Sequence, residues 1–276
     1  GDGTSSASME AGSWGYLKFG ATGATVGENN GFRVSANVMH DGGYRDQSGF
    51  NQQKGMLRHE YNDGNWDISS NIMVTNLDQE TAGFLVGLDS YKDPILARTN
   101  PNPEAFRKAK SFRYWSTISK NVTDNVRWQF SPYLRSMEME FLMHFLPGQP
   151  LEENEQKSAG FQNAFYYNEG GQFEVIAGFD GEIAKGELKQ TQANTTVGSA
   201  FLVNTIPAGK QYDYEVDTKM VAGFVRGDFK VTEQLSLVGG FRAEHMKYDY
   251  DNRMNSGRVD ENGNTCGFGE CRYTRP

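Results

Sequence analysis

The stretch Gln172–Lys189 constrains the fold of this chain most strongly, because its apolar and polar residues alternate almost without exception. One set of alternate positions is apolar or small: Phe173, Val175, Ala177, Phe179, Gly181 and Ile183. The other set is mostly polar, and only Ile176 departs from it. Such alternation predicts a β-strand with one apolar face and one polar face. Its length matters, because a strand that crosses a bilayer needs about ten residues and strands of soluble sandwiches usually have about five or six.

The same alternation recurs along the chain and predicts about ten strands joined alternately by short turns and long loops. We expect the first strand at Gly12–Ala21, with Leu17 and Phe19 outward and Lys18 inward. A strict succession of short and long connections is typical of outer-membrane barrels. The sequence therefore predicts an all-β, antiparallel, up-and-down transmembrane β-barrel segment with almost no helix. A large soluble antiparallel sheet is the alternative.

Two local sequence features are expected to interrupt or delimit the strands. Pro132 lies inside a strand-like stretch, and since proline has no N–H to donate, we expect a bulge or a local defect there. Asp63-Gly64 marks a tight hairpin turn at Asn62–Asn65. Aromatic residues near the expected strand ends suggest interfacial girdles, at Trp14, Tyr61, Trp66, Trp115, Trp128, Tyr167 and Tyr248.

Composition narrows the possible partners. The chain has no run of eighteen apolar residues, so a transmembrane helix is not expected, but half of every strand in a membrane barrel is polar. The net charge of −8 argues against nucleic acid as a partner, because binding phosphates requires a basic surface. Outer-membrane lipid is the partner that the apolar face implies.

No metal site or cofactor is predicted. The four histidines lie far apart in sequence without ligand spacing, and no phosphate-binding loop or nucleophile elbow is present. Cys266 and Cys271 form a close pair in a glycine-rich stretch, which favours a small disulfide loop over two free thiols.

The connection pattern also predicts where the ends of the chain lie. If the first strand starts on the long-loop side, about ten strands return the chain to that side. Both ends would then be extracellular, whereas a complete barrel should have both ends in the periplasm. We therefore expect the chain to be an internal segment of a larger barrel, with two unpaired edges.

Four stretches resemble the early barrel of TonB-dependent outer-membrane receptors: His40–Lys54, Leu77–Asp93, Arg98–Arg107 and Ser131–Ser158. The resemblance spans residues 10–250. It implies a barrel of about 22 strands closed by an N-terminal plug domain. Residues 1–276 would be a partial barrel domain that lacks the plug and the closing strands.

The resemblance further implies a function and partners. Such receptors take up scarce ligands across the outer membrane of Gram-negative bacteria, most often an iron–siderophore complex, and the TonB complex drives them through the plug region. The expected function is thus ligand uptake and not enzymatic catalysis. A ten-stranded outer-membrane hydrolase and a passive porin are the alternatives.

Candidate ligand-binding residues lie in the predicted long loops. Arginine and aromatic side chains suit an anionic ligand that carries rings, such as a ferric siderophore. The candidates are Tyr44, Arg45, Tyr91, Arg98 and His144. Charged residues on the predicted inner face are expected mainly to pair with one another along the wall.

Overall fold

The computed structural model describes residues 3–255 together with Val259, Gly263 and Asn264. Cys266 and Cys271, for which a disulfide is predicted, lie outside the described residues. Eleven strands form one antiparallel sheet in chain order. They are β1 (Ser5–Ala11), β2 (Leu17–Val26), β3 (Asn30–Asp41), β4 (Phe50–Asn62), β5 (Trp66–Glu80), β6 (Phe106–Thr123), β7 (Val126–Leu142), β8 (Leu151–Tyr167), β9 (Phe173–Gln192), β10 (Gly209–Lys230) and β11 (Ser236–Asn252).

Among the described residues, helical structure occurs only in connections at the end of the sheet that carries the long loops. Single turns of 3-10 helix occur at Ser13–Gly15, Ser90–Lys92 and Leu96–Arg98, and one short α-helix, α1, spans Ala200–Thr205. Each strand pairs only with its neighbours in sequence, and no described element packs across the sheet as a second layer. The predicted all-β, up-and-down architecture is therefore confirmed. A soluble sheet of this kind would need a second layer to cover its apolar face.

The cross-strand register shows that the two faces extend across the whole sheet. Phe179 pairs with Gly223, and Val225 pairs with both Ala177 and Phe241, so these residues share one face. That face is exposed along its apolar side chains: Phe179 is 52%, Ile183 60%, Val221 61% and Phe241 70% exposed. The opposite face carries Asp180, Arg226 and Arg242, as the alternation predicts. We call the apolar face outward and the polar face inward.

The predicted first strand is wrong in its position. Residues 12–16 form a connection with Trp14 in a left-handed backbone conformation, and β1 precedes it. β1 was missed because Met9 is the only large apolar side chain among its outward residues, and the others, Ser5, Ala7 and Ala11, are small and only weakly apolar. With eleven strands, β1 starts on the short-turn side and β11 ends on the long-loop side. The prediction that both ends of the strand array lie on the long-loop side is therefore wrong.

Several strands continue on the long-loop side beyond the stretches in which apolar and polar residues alternate. β8 begins at Leu151, although the alternation begins only at Ser158, and β10 begins at Gly209. In Leu151–Lys157 both faces carry polar or charged residues, so no alternation reveals the strand. Backbone pairing does not require an apolar face, and the strands therefore extend past the apolar belt.

Pro132 produces the predicted local defect, but without a bulge. Pairing between β6 and β7 stops at Trp115–Tyr133 and resumes at Ile118–Phe130 in the same register. The interruption lies opposite the proline, which has no N–H to donate.

The sheet is open. β1 pairs with β2 alone and β11 with β10 alone, and no pairing joins β1 to β11 among the described residues. The two unpaired edges agree with the prediction of a partial barrel. They also contradict a closed ten-stranded barrel, the architecture that the hydrolase alternative requires.

Candidate ligand site at the long-loop rim

Every second connection emerges at the end of the sheet that carries the long loops, and three of these connections contact one another. They are residues 12–16, 42–49 and 81–105, which link β1 to β2, β3 to β4 and β5 to β6. We call this end the long-loop rim. Because consecutive antiparallel strands are neighbours, every second connection lies at the same end.

Arg45 fastens the second loop to the third. Its Nε and one terminal nitrogen donate to the carbonyl oxygen of Thr99, at 2.9 and 2.7 Å. The backbone N–H of Asp46 donates to the carbonyl of Arg98 at 2.8 Å, and the Asn100 amide donates to the carbonyl of Gln47 at 2.9 Å. These bonds hold the segment Arg98–Asn100 against residues 45–47. Arg45 therefore positions the loops and is not a free cation.

Arg98 is the second arginine among these loops, and its guanidinium lies beside two aromatic rings. Its guanidinium carbon lies 4.9 Å from the centre of the Trp14 ring and 5.9 Å from that of Tyr44. The two rings meet edge to face with their centres 5.0 Å apart. Arg98 is exposed, and no described carboxylate forms a salt bridge with it. The three side chains form an aromatic–arginine cluster that faces solvent.

Trp14 was predicted as a girdle residue, and its place in this cluster was missed. Gly42 donates its N–H to the carbonyl of Trp14 at 3.0 Å, which ties the first loop to the second. The sequence Ser13-Trp14-Gly15, just before the alternating stretch that begins at Leu17, is the signal that could have indicated a connection there.

Tyr91 and His144 are not brought into the cluster by any contact among the described residues. Tyr91 is 66% exposed on the 3-10 turn Ser90–Lys92, beside the ammonium group of Lys92. His144 lies in the connection from β7 to β8, where its ring contacts Phe145 and its Nδ1 is buried without a described hydrogen-bond partner. Both remain candidates from sequence alone.

The charges of the inward face pair with one another, as predicted. Arg135 binds Glu182 at 2.6 Å, and Arg242 bridges Asp180 at 2.5 Å and Glu244 at 3.1 Å. The pairs Arg135–Glu182 and Arg242–Glu244 are partly exposed, and pairs of this kind contribute about 0–1 kcal/mol each to stability, whereas Asp180 is buried.

Gly160 allows one longer interaction across the inward face. It lies in register between Tyr133 on β7 and Glu182 on β9. The Tyr133 hydroxyl donates to the Glu182 carboxylate directly above the glycine. A Cβ at position 160 would collide with the tyrosine hydroxyl. A side chain there would therefore separate these two residues.

The girdle prediction holds in part, at the short-turn end. Trp66 and Trp128 face outward there with their rings 6.4 Å apart, and Lys120 lies 4.8 Å from the centre of the Trp66 ring. Trp115 and Tyr248, in contrast, face inward by register. Trp115 lies in the middle of β6 and not near either of its ends.

Short-turn carboxylates stabilise the hairpin connections. Asp63 accepts backbone N–H bonds from Trp66 and Asn65, and these bonds lower the pKa of its carboxyl. In the turn between β8 and β9, Glu169 accepts a bidentate contact from the Arg127 guanidinium, at 2.7 and 2.8 Å. This contact lowers the pKa of the Glu169 carboxyl.

Comparison with solved structures identifies the architecture. The ferric citrate transporter FecA aligns with a TM-score of 0.69 at 12% identity, over 90% of this chain and 38% of that one. The ferric-catecholate import receptor Fiu from E. coli K12 aligns with a TM-score of 0.70 at 13% identity, over 97% and 48%. The outer-membrane ferripyoverdine receptor of Pseudomonas aeruginosa aligns with a TM-score of 0.68 at 11% identity, over 91% and 38%.

The chain has the fold of part of a receptor barrel. It spans less than half of the length of each of these three receptors. The resemblance to TonB-dependent receptors is thereby confirmed at the level of the fold. No protein-family model matches the chain. No curated protein sequence matches it either.

No described helix is both long and apolar enough to cross a membrane. No group of three or more histidine, cysteine, aspartate or glutamate side chains is arranged to hold a metal ion within the part of the chain that the structure describes.

Proposed function

We propose that this chain is part of the barrel domain of a TonB-dependent outer-membrane receptor that takes up a ferric siderophore. The receptor fold and the open sheet support a segment of a larger barrel. The observation that carries the ligand class is the exposed Arg98 guanidinium held beside the rings of Trp14 and Tyr44 at the long-loop rim. Such a surface suits an anionic complex that carries rings.

The proposed orientation places the outward face in lipid and the long-loop rim outside the cell. The plug and the contact with the TonB complex would belong to parts of the receptor beyond this segment. Energy for uptake would come through that contact. A passive porin of the same architecture would require neither a ligand site nor an energised membrane.

Uptake by iron-limited cells that express the complete receptor tests this proposal. ⁵⁵Fe-labelled ferric citrate and a ⁵⁵Fe-labelled catecholate complex are the probes. We expect saturable binding of at least one probe, and uptake that a protonophore abolishes while binding persists. Arg98→Gln should weaken that binding about tenfold, the loss of one charge-assisted contact of about 1.5 kcal/mol.

Lys92→Gln is the matched control, because it removes one positive charge from the same loop outside the cluster. It should leave the affinity within about twofold, as expected for an exposed and screened charge. Uptake that is non-saturable and insensitive to the protonophore would favour a porin. Cleavage of a peptide substrate by the purified protein would favour the hydrolase.

A further inference from the structure

The side chain of Asn100 ties together three segments of the long-loop rim. Its Oδ1 accepts hydrogen bonds from the backbone N–H groups of Gly83 and Asn102, at 3.2 and 2.9 Å. Its Nδ2 donates to the carbonyl oxygen of Gln47 at 2.9 Å. A single amide therefore joins the beginning of the β5–β6 loop to its end, and both to the β3–β4 loop. We call these three bonds the Asn100 clamp.

Apolar packing does not hold the part of the β5–β6 loop that the clamp encloses. Phe84, Leu88 and Ile95 are exposed, Leu88 at 98%. Between positions 84 and 98 the buried residues are small, Ser90 and Ala97. Burial of such small side chains removes little apolar surface from water. Polar bonds must therefore fix the course of this loop.

Arg98 lies near the end of this loop, where polar bonds fix its backbone. At the start of its 3-10 turn, Asp93 Oδ1 accepts from the N–H groups of Ile95 and Leu96, at 2.8 and 3.1 Å. The Arg98 carbonyl accepts the 2.8 Å bond from the N–H of Asp46 in the β3–β4 loop. The clamp lies two residues beyond Arg98 and keeps the two loops in this contact. The backbone that carries the Arg98 guanidinium is therefore fixed from both sides.

Asn100 itself is not placed to contact a ligand. Its side chain is half-buried, and both its oxygen and its nitrogen are already hydrogen-bonded. Trp14, a ring beside Arg98, is held by a different bond, from the N–H of Gly42. Loss of the clamp should therefore loosen Arg98 and leave Trp14 in place.

We propose that Asn100 is a positioning residue for the ligand site, which holds Arg98 beside Trp14 and Tyr44 before a ligand arrives. The proposal rests on the proposed function, since it assigns to Asn100 a part in binding the same anionic complex. Binding to a loop that is already ordered costs less conformational entropy than ordering the loop on binding. Asn100 thus raises the affinity through Arg98, without a contact of its own.

The test is a double-mutant cycle in the complete receptor. It measures equilibrium binding of whichever ⁵⁵Fe-labelled complex, ferric citrate or the catecholate, the unmodified receptor binds. Asn100→Ala should weaken this binding about fivefold, because the Arg98 side chain and its loop must then be ordered on binding. In an Arg98→Gln background the same substitution should cost less than about twofold, since residues that act through each other are not additive in such a cycle.

Asn102→Ala is the matched control. Asn102 also precedes a proline, so the backbone is restricted in the same way at both positions. Its side chain donates to Glu104 at 3.3 Å and takes no part in the clamp, and its backbone N–H is unchanged by the substitution. The control should bind within about twofold of the unmodified receptor.

Hydrogen exchange gives a readout that does not depend on a ligand. In Asn100→Ala the amides of Gly83 and Asn102 lose their acceptor and should exchange faster. The amide of Asp46 keeps its acceptor, the Arg98 carbonyl, and should nevertheless exchange faster, because the two loops separate. Protection at Asp46 equal to that in the unmodified receptor would overturn the positioning role.

The binding measurements separate this proposal from the proposed function. A loss in Asn100→Ala that persists in full in the Arg98→Gln background would overturn the positioning role, and so would an equal loss in the control. A receptor in which Arg98→Gln weakens binding but Asn100→Ala does not would contradict only the positioning role. A receptor that binds neither complex, or whose binding is unaffected by Arg98→Gln, would overturn both.

Discussion

At the scale of single residues, the direction of each side chain follows from register. On the outward face of β10, Val225 lies midway between Lys219 and the β10–β11 turn. It is flanked in register by Ala177 and Phe241 on the same apolar face. Arg226, its neighbour in sequence, points inward, where Asp228 lies 3.6 Å away. Two adjacent positions therefore meet opposite environments.

An arginine at position 225 and a valine at position 226 should have unequal effects on the stability of the folded receptor. Val225→Arg should destabilise the folded receptor in vesicles by about 2–4 kcal/mol, the cost of an arginine on the lipid face near the midplane. Arg226→Val should cost no more than about 1 kcal/mol, because it removes only a partly exposed ion pair. Urea titration of the complete receptor in vesicles measures both values. A negligible cost at position 225 with a large cost at position 226 would show that the faces are inverted.

Residue directions could be predicted from sequence because bilayer and lumen impose opposite polarity on alternate positions. The faces of Phe179, Asp180, Arg226 and Arg242 therefore agree with the alternation. The aromatic–arginine cluster could not be predicted as a whole. Trp14 and Arg98 are 84 positions apart, and no local pattern indicates that their loops meet.

At the scale of elements, the alternation of apolar and polar residues determines which part of a strand can be predicted from the sequence. The portions inside the apolar belt were predicted, whereas the polar extensions of β8 and β10 toward the long-loop rim were not. Turn chemistry is more local, and the Asn62–Asn65 turn forms where it was predicted. Its glycine, Gly64, has a φ of +88°, a conformation that side chains rarely adopt.

The side chain of Asp63 should keep the turn of the β4–β5 hairpin ordered. Asp63→Ala removes the acceptor for the N–H groups of Trp66 and Asn65, so protection of these two amides against hydrogen exchange should fall. Asn65→Ala is the matched control, since only the backbone of Asn65 forms hydrogen bonds in this turn. Equal protection in the two variants would contradict this role.

The same turn should respond to acid with a definite sign. The folded-state pKa of Asp63 is lowered by the two N–H bonds. Its contribution to stability is therefore complete above the unfolded pKa of about 3.9 and is lost as pH falls through the lower folded value. Asp63→Asn keeps an acceptor oxygen but cannot titrate, and its turn should stay protected at acidic pH. A turn in the unmodified protein that is insensitive to acid would contradict the assignment.

At the scale of the whole molecule, the sheet has a large apolar surface and two free edges. Apolar patches on soluble proteins rarely exceed a few hundred Å², whereas here one face is apolar across nearly every strand. Unpaired edges invite association with other strands, and closure of a barrel removes them. Lipid on the outward face and further strands at β1 and β11 would meet both requirements.

The 276-residue chain alone should therefore neither close into a barrel nor transport. Closure would require β1 to pair with β11, and barrel diameter falls with strand number, so the inward charges would crowd into a narrower lumen.

Cysteines at Met9 and Phe241 should not form a disulfide when Cys266 and Cys271 are replaced by serine. Cysteines at Met9 and Phe19, which are partners in the β1–β2 register, should form one and serve as the positive control. A disulfide between positions 9 and 241 in monomers, together with backbone amides protected along both β1 and β11, would instead establish a closed eleven-stranded barrel. That result would remove the main physical reason for placing this chain within a larger receptor.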